Sequence, residues 1–254
     1  MKAFEIGKKI EEFAPFGLAC SWDNPGFLCG DPNRQVKKVL LSLDVNLSTV
    51  KEAVKIGADM IVSHHPLFFS GLKKIDFSTH EGKIVELLVK NDIAVFAAHT
   101  NMDAAENGIN QRLAQIFDLG DICVLDPIDD TCGIGRMGLL KESVRAEDFA
   151  ELVKKKLNTP FVRISGDCLI KKLAICSGSG GNYFSLAKAN GCDALLTGDV
   201  KYHDAQDAVD CGICVIDAGH FPTEKLVCEI FEEILYNLPL ELVKSESKDV
   251  FLIK

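Results

Sequence analysis

Ala58-Asp59-Met60-Ile61-Val62-Ser63-His64-His65-Pro66 is the stretch on which the reading of this chain turns. Met60, Ile61 and Val62 form an unbroken apolar run, the pattern of a strand covered on both faces, as in a parallel sheet flanked by helices. The run stops at two adjacent imidazoles. Successive side chains of an extended segment point to opposite sides, so His64 and His65 are expected to diverge as they leave the strand, each able to hold a different metal ion.

The same style recurs on either side. Residues 36–45, 59–63 and 93–98 read as strands, and residues 47–56, 79–90 and 107–117 as helices between and after them. In the second half, 136–140, 161–164, 172–176, 194–197 and 213–216 read as strands, with helices at 146–157, 183–189, 201–210 and 223–237. An amphipathic helix over 3–13 opens the chain, with Phe4, Ile6, Ile10 and Phe13 at helical spacing. Alternating strands and helices give the α/β class with mainly parallel sheets. A length of 254 residues supports two lobes, each with its own core. The turn-rich stretch 119–133 predicts the boundary, giving a first lobe over 1–125 and a second over 126–254. Segment 242–254 is expected to return as a strand, packing back on the first lobe.

Composition narrows the function. Hydrophobic residues at 47% and charged residues at 26% are the balance of a globular chain rather than a disordered one. A net charge of −9, with no Lys/Arg-rich run, lacks the electrostatic footprint of a duplex nucleic-acid binder. No apolar stretch of ~18 residues and no leader pattern is present, which predicts a cytoplasmic protein without a membrane span. The ten cysteines are scattered apart from Cys211 and Cys214, so they read as free thiols, Cys214 as a small hydrophobe inside a strand.

Ligands of open α/β sheets bind outside the carboxyl ends of the strands, and the distinctive polar residues fall there. Asp44 ends the first run, His64 and His65 the second, and His99 to Asp103 follow the third. Asp199 and His203 follow 194–197, and Asp217 to His220 closes the last. Of six histidines only His80 lies elsewhere. Imidazoles together with carboxylates suit divalent transition metals, so His64, His65, Asp103, His220 and Glu224 are candidate ligands. Pro222 fits the first turn of a helix, and the four-residue spacing of His220 and Glu224 puts both on one face. His99 reads as a ligand or, better, as a neighbour that orients one. Asp44 either orients a histidine or caps the next helix, and Asp199 and His203 read as pocket residues. Trp22, the only tryptophan, is a packing anchor or a wall of the site. The turn Ser177-Gly178-Ser179-Gly180-Gly181 lacks a nucleotide fingerprint but could touch a phosphate through its amides. No serine sits in G-x-S-x-G, which argues against a serine hydrolase.

Five motifs in order resemble one family: Trp22-Asp23-Asn24-Pro25-Gly26, Ser63-His64-His65-Pro66, Ala98-His99-Thr100-Asn101-Met102-Asp103, Thr197-Gly198-Asp199-Val200-Lys201-Tyr202-His203 and Gly219-His220-Phe221-Pro222-Thr223-Glu224. They are similar to those of the GTP cyclohydrolase 1 type 2 homologs, the NGG-interacting-factor-three-like family. The resemblance spans almost the whole chain, in the short form without a central insertion. It implies two α/β lobes with a dinuclear metal site in the cleft between them, and a ring-shaped homohexamer. It also implies two divalent ions per chain held by His64, His65, Asp103, His220 and Glu224, with Glu224 bridging. Phe27-Leu28-Cys29 departs from the Leu-Gln that many relatives carry, which bears on the pocket rim. The expected function is a metal-dependent hydrolase acting on phosphate esters, nucleotides or a purine ring. The alternative is a metal-binding interaction, scaffold or metal-handling protein.

Overall fold

Apolar runs bounded by turns become the strands of two separate sheets in a computed structural model that describes residues 1–253. In chain order the first elements are α1 (Ala3–Phe13), β1 (Gly26–Cys29), β2 (Lys38–Ser42), α2 (Leu47–Ile56), β3 (Met60–Ser63), α3 (His80–Lys90), β4 (Ala94–Ala97) and the short α4 (Thr100–Ala104). Then come α5 (Ile109–Ile116), β5 (Gly120–Pro127), β6 (Gly133–Arg145), α6 (Ala146–Leu157), β7 (Arg163–Ser165), β8 (Leu169–Ile175) and α7 (Phe184–Ala189). The remainder is β9 (Ala194–Thr197), α8 (Tyr202–Asp210), β10 (Cys214–Asp217), α9 (His220–Glu224), α10 (Val227–Leu235) and β11 (Glu241–Lys244).

The chain divides into two compact units. The first comprises Met1–Met102 and Val227–Lys248; the second comprises Asp103–Leu226 and the last residues from Asp249. The division therefore falls inside α4, between Met102 and Asp103, and not at residue 125. What reads as a linker near 119–133 is a hairpin. Strands β5 and β6 pair antiparallel from Gly120↔Leu139 to Pro127↔Gly133, and the loop closes on itself through Asp129 Oδ1, which accepts from Thr131 N and Cys132 N. Asp103 accordingly belongs to the second unit.

In the first unit the sheet order is β1-β4-β3-β2-β11, with β1 antiparallel and the rest parallel. Met60, Ile61 and Val62 of β3 are each 0% exposed, as expected of a strand covered on both faces. Helix α2 begins where Asn46 accepts from Ser48 N and Thr49 N and ends at Gly57, whose φ of 66° is left-handed. Its Val50 and Ala53 join Leu40, Ile61, Leu88 and Val95 in the core. Strand β11 returns to pair parallel with β2, from Glu241↔Lys38 to Lys244↔Leu41.

The second unit's sheet has the order β5-β6-β8-β9-β10-β7 and is mixed rather than mainly parallel. Only β8-β9 and β9-β10 are parallel, because the hairpin and the short β7 supply antiparallel neighbours. Its core gathers Leu125, Ala174, Leu195, Ile213 and Val215. Among the described residues, no helix is long and apolar enough to cross a membrane.

Candidate metal centre

In the first unit the backbone ladder continues two residues beyond β3. The His64 N–H donates to Ser42 O at 3.2 Å and the His65 N–H to Leu43 O at 2.9 Å. Strand alternation alone would send these rings to opposite sides, but the chain bends at His64 and His65 and Ser63 Oγ donates to His65 O at 2.9 Å. The ring centroids lie 5.1 Å apart, so the two imidazoles converge instead of diverging. His99, just past β4, joins them with ring centroids 5.1 Å from His64 and 5.4 Å from His65. One ring nitrogen from each of the three lies within 4.8 Å of the others.

Each ring is held by its Nδ1. His64 Nδ1 lies 2.9 Å from Ala98 O, His65 Nδ1 2.7 Å from Asp44 Oδ1, and His99 Nδ1 2.9 Å from Asp23 Oδ1. Carbonyl and carboxylate oxygens only accept, so Nδ1 carries the proton in each ring and Nε2 becomes the donor atom for a metal. Asp44 thus orients His65; Asn46 is the residue that caps α2. Asp23 also accepts from Thr100 N at 3.0 Å and Thr100 Oγ1 at 2.5 Å. Burial pushes the Asp23 carboxyl up, but the bonds from His99 and Thr100 outweigh it and hold the group well below the usual carboxylate range.

In the second unit, Gly219 turns the chain at φ 86° and α9 places His220 and Glu224 one turn apart. His220 Nε2 lies 2.8 Å from Glu224 Oε2, and its Nδ1 lies 2.7 Å from Asp199 Oδ2. A carboxylate at each ring nitrogen is satisfied only with positive charge between ring and Glu224, either a proton or a metal ion. Glu224 is 4% exposed and packs on Gly178, where a Cβ would meet Glu224 Oε1 at 2.0 Å. Nearby, Ser177 Oγ donates to Asp103 Oδ1 at 3.2 Å, and Ser177 N donates to Asn110 Oδ1, whose Nδ2 holds Asp103 O. Burial pushes the Cys176 thiol far up, and the Asp103 and Glu224 carboxylates push it further.

The turn 177–181 is therefore a support for these carboxylates. Its amides at Ser177, Gly178 and Gly180 are committed to Asn110, Thr223 and Thr197, so these three are not turned toward a phosphate. Asp199 is the anchor of His220. His203 does not join the group; it lies exposed on α8 with its ring edge-on to Tyr202. His80 is likewise exposed, at the start of α3. Sequence reasoning missed the anchoring roles of Asp23 and of the Ala98 carbonyl. Asp23 stood in a quoted motif but read only as a turn residue, and a backbone carbonyl carries no sequence signal.

The donor chemistry fits divalent transition ions. Imidazoles with a fixed Nδ1–H and carboxylates on buried supports are what such ions take, and the missing Cβ at Gly178 is what admits the Glu224 carboxylate.

Comparison with known proteins identifies the family. The chain is 36% identical over 259 residues to the GTP cyclohydrolase 1 type 2 homolog of Clostridium perfringens, covering 99% of both chains. It is 38% identical over 248 residues to the homolog of Methanocaldococcus jannaschii, covering 96% of this chain and 98% of that one. Among solved structures, a Bacillus cereus protein related to NIF3 superposes with a TM-score of 0.91 at 26% identity, over 100% of this chain and 99% of the other. The family profile Duf34/NIF3 (NGG1p interacting factor 3) matches residues 1–249, and the chain belongs to that family.

Proposed function

We propose that this protein is a metal-dependent hydrolase holding two divalent transition ions through His64, His65, Asp103, His220 and Glu224, with Glu224 bridging the pair. One observation supports the reading above the others. His64, His65, His99 and His220 each have Nδ1 engaged by a fixed carbonyl or carboxylate, which presents Nε2 as the metal donor. The two histidines outside the group, His80 and His203, are exposed. Iron, zinc, manganese and nickel all suit this donor set.

When bound, two such ions lower the pKa of water toward ~7 and stabilise charge on the attacking and leaving oxygens of a displacement. The chain's own part is to orient. Asp44 and Asp199 hold the planes of His65 and His220, the Ala98 carbonyl holds His64, and Gly178 seats Glu224. Asp23 keeps His99 beside His64 and His65 as a further imidazole. Relatives bear the name GTP cyclohydrolase 1 type 2 homolog, so phosphate esters, nucleotides and GTP form the substrate panel. The same reading takes the protein as a cytoplasmic homohexamer.

Elemental analysis is expected to return about two divalent ions per chain. The loaded protein then hydrolyses some member of the panel, and Glu224→Gln loses both the activity and an ion, since the bridging charge that offsets cation repulsion is gone. Full occupancy with no turnover above the Glu224→Gln control would replace the hydrolase with a metal-handling or scaffold protein.

A further inference from the structure

Strand β7 is the last strand of the second unit's sheet, and among the described residues only β10 pairs with it. Its other edge is open. Pro160, which has no N–H, bounds that edge and leaves residues 161–165 to take a partner. A groove flanks the strand on each face. Beside α6 lies a cavity of about 560 Å³, lined by Ala150, Phe161, Val162 and Ile164 with Glu147 and Asp148 as its acidic part. Beside α8 lies a second of about 220 Å³, lined by Val200, Tyr202, Ala205 and Val215 among others. The strand itself separates the two. Arg163 reaches Val200 O and the Asp217 carboxylate on the α8 side, so by alternation Ile164 turns to the α6 side.

Residues 250–253 carry what such an edge lacks. Val250, Phe251, Leu252 and Ile253 are 50–84% exposed, an apolar run of mostly strong strand formers that belongs to no helix or strand. A run without alternation is the pattern of a strand covered on both faces. An open edge with an apolar groove on each face is where such a strand fits. Charge agrees with this. Lys248 precedes the run and Lys254 follows it in the sequence, while Glu147 and Asp148 stand exposed at the larger groove.

We propose that residues 249–253 of one copy add as a strand to the open edge of β7 in a second copy. The larger pair, Phe251 and Ile253, enters the larger groove beside α6, and Val250 and Leu252 enter the groove beside α8. Main-chain bonds to 161–165 supply the pairing and the alternate side chains fix the register. The local bond from the Phe251 N–H to Asp249 Oδ1, 2.9 Å long, opens in exchange. A single chain leaves both the segment and the edge uncovered, whereas identical copies can each give one segment and take one. This goes beyond the proposed function, since it uses none of the candidate metal ligands and names two surfaces rather than a number of copies.

The test uses a fluorescein-labelled peptide with the sequence of residues 245–254. Its receptor is the full chain carrying Phe251→Asp and Leu252→Asp, whose own segment cannot compete. A saturable rise in anisotropy is expected, and bound peptide should slow hydrogen exchange at 161–165 of the receptor. In the peptide, Phe251→Asp and Leu252→Asp each weaken binding about 10- to 100-fold. These peptide variants need no folding, so they test the contact even if a receptor variant fails to fold. Adding Ile164→Asp to the receptor weakens binding by a similar factor at unchanged metal content. The full chain carrying Ile164→Asp alone, with its segment intact and its own edge blocked, displaces the peptide. No binding, equal binding of the Asp-substituted peptides, or slowed exchange only outside 161–165 would each overturn the proposal. Failure of the Ile164→Asp chain to displace the peptide would confine the segment to its own chain and overturn it as well.

Discussion

Replacing Gly178 with alanine adds one carbon to the second unit at the point where Glu224 is seated. The added Cβ falls 2.0 Å from Glu224 Oε1 and 2.9 Å from its Cδ, whereas ordinary contact begins at 3.4 Å. The carboxylate must retreat, and in doing so it leaves His220 Nε2, now 2.8 Å away. A charged hydrogen bond is worth about 1.5–3 kcal/mol. The backbone adds its own cost, since Gly178 has φ +61° and an L-residue in the left-handed region costs about 1–2 kcal/mol. Gly57→Ala separates the two effects. Its φ is +66° and nothing lies within 4 Å of its added Cβ, so it carries the backbone cost alone. At roughly 2–4 °C per kcal/mol for a chain of this size, calorimetry on metal-free protein should show Gly178→Ala melting about 3–12 °C below Gly57→Ala. Metal–oxygen bonds are about 2.0–2.2 Å, too short to survive such a retreat, so elemental analysis should find Gly178→Ala short of ions and Gly57→Ala fully loaded. If both variants melt alike and bind the same metal, the account of Gly178 as the seat of Glu224 is wrong.

Asp44→Asn and Asp199→Asn keep the size of the anchors of His65 and His220 but remove their charge; competition with a chelator should show metal affinity falling about 10- to 100-fold for each, and unchanged affinity would remove the anchors from the site. Burial pushes the thiol of Cys192 up to about 11 and those of Cys214 and Cys228 up to about 12, so alkylation at about pH 8, which needs thiolate, should reach the exposed Cys123 and Cys211 first. Early labelling of Cys228 in mass spectra would contradict this order.

The places of the candidate donors could be read from residues because strand ends are local features. An apolar run followed by a histidine or an aspartate marks both the strand and the side chain at its carboxyl end, and His64, His65, His99 and His220 all sit there. Helix α6 and strand β9 also lie where their patterns begin and stop. What was not legible depends on long-range pairing. Residues 126–133 have the turn-rich composition of a linker, and only the register of β5 on β6 makes them a hairpin loop. The convergence of His64 and His65 was hidden for a similar reason. Alternation along a strand predicts opposite faces, and the bend at Ser63 to His65 overrides it through a single side-chain bond to the backbone.

The return of α10 and β11 to the first unit also bears on how the chain is made. Residues 1–102 leave the ribosome before the second unit, yet β11, which pairs with β2, and α10, which packs on α1 and β2, leave after it. Until they arrive, β2 with its wholly apolar Val39, Leu40 and Leu41 is an open edge. The whole intervening unit is synthesised in that interval, roughly 6–25 s at about 5–20 residues per second. A strand made early thus waits for a partner made more than a hundred residues later, and through that interval its apolar edge is open to pairing with another strand.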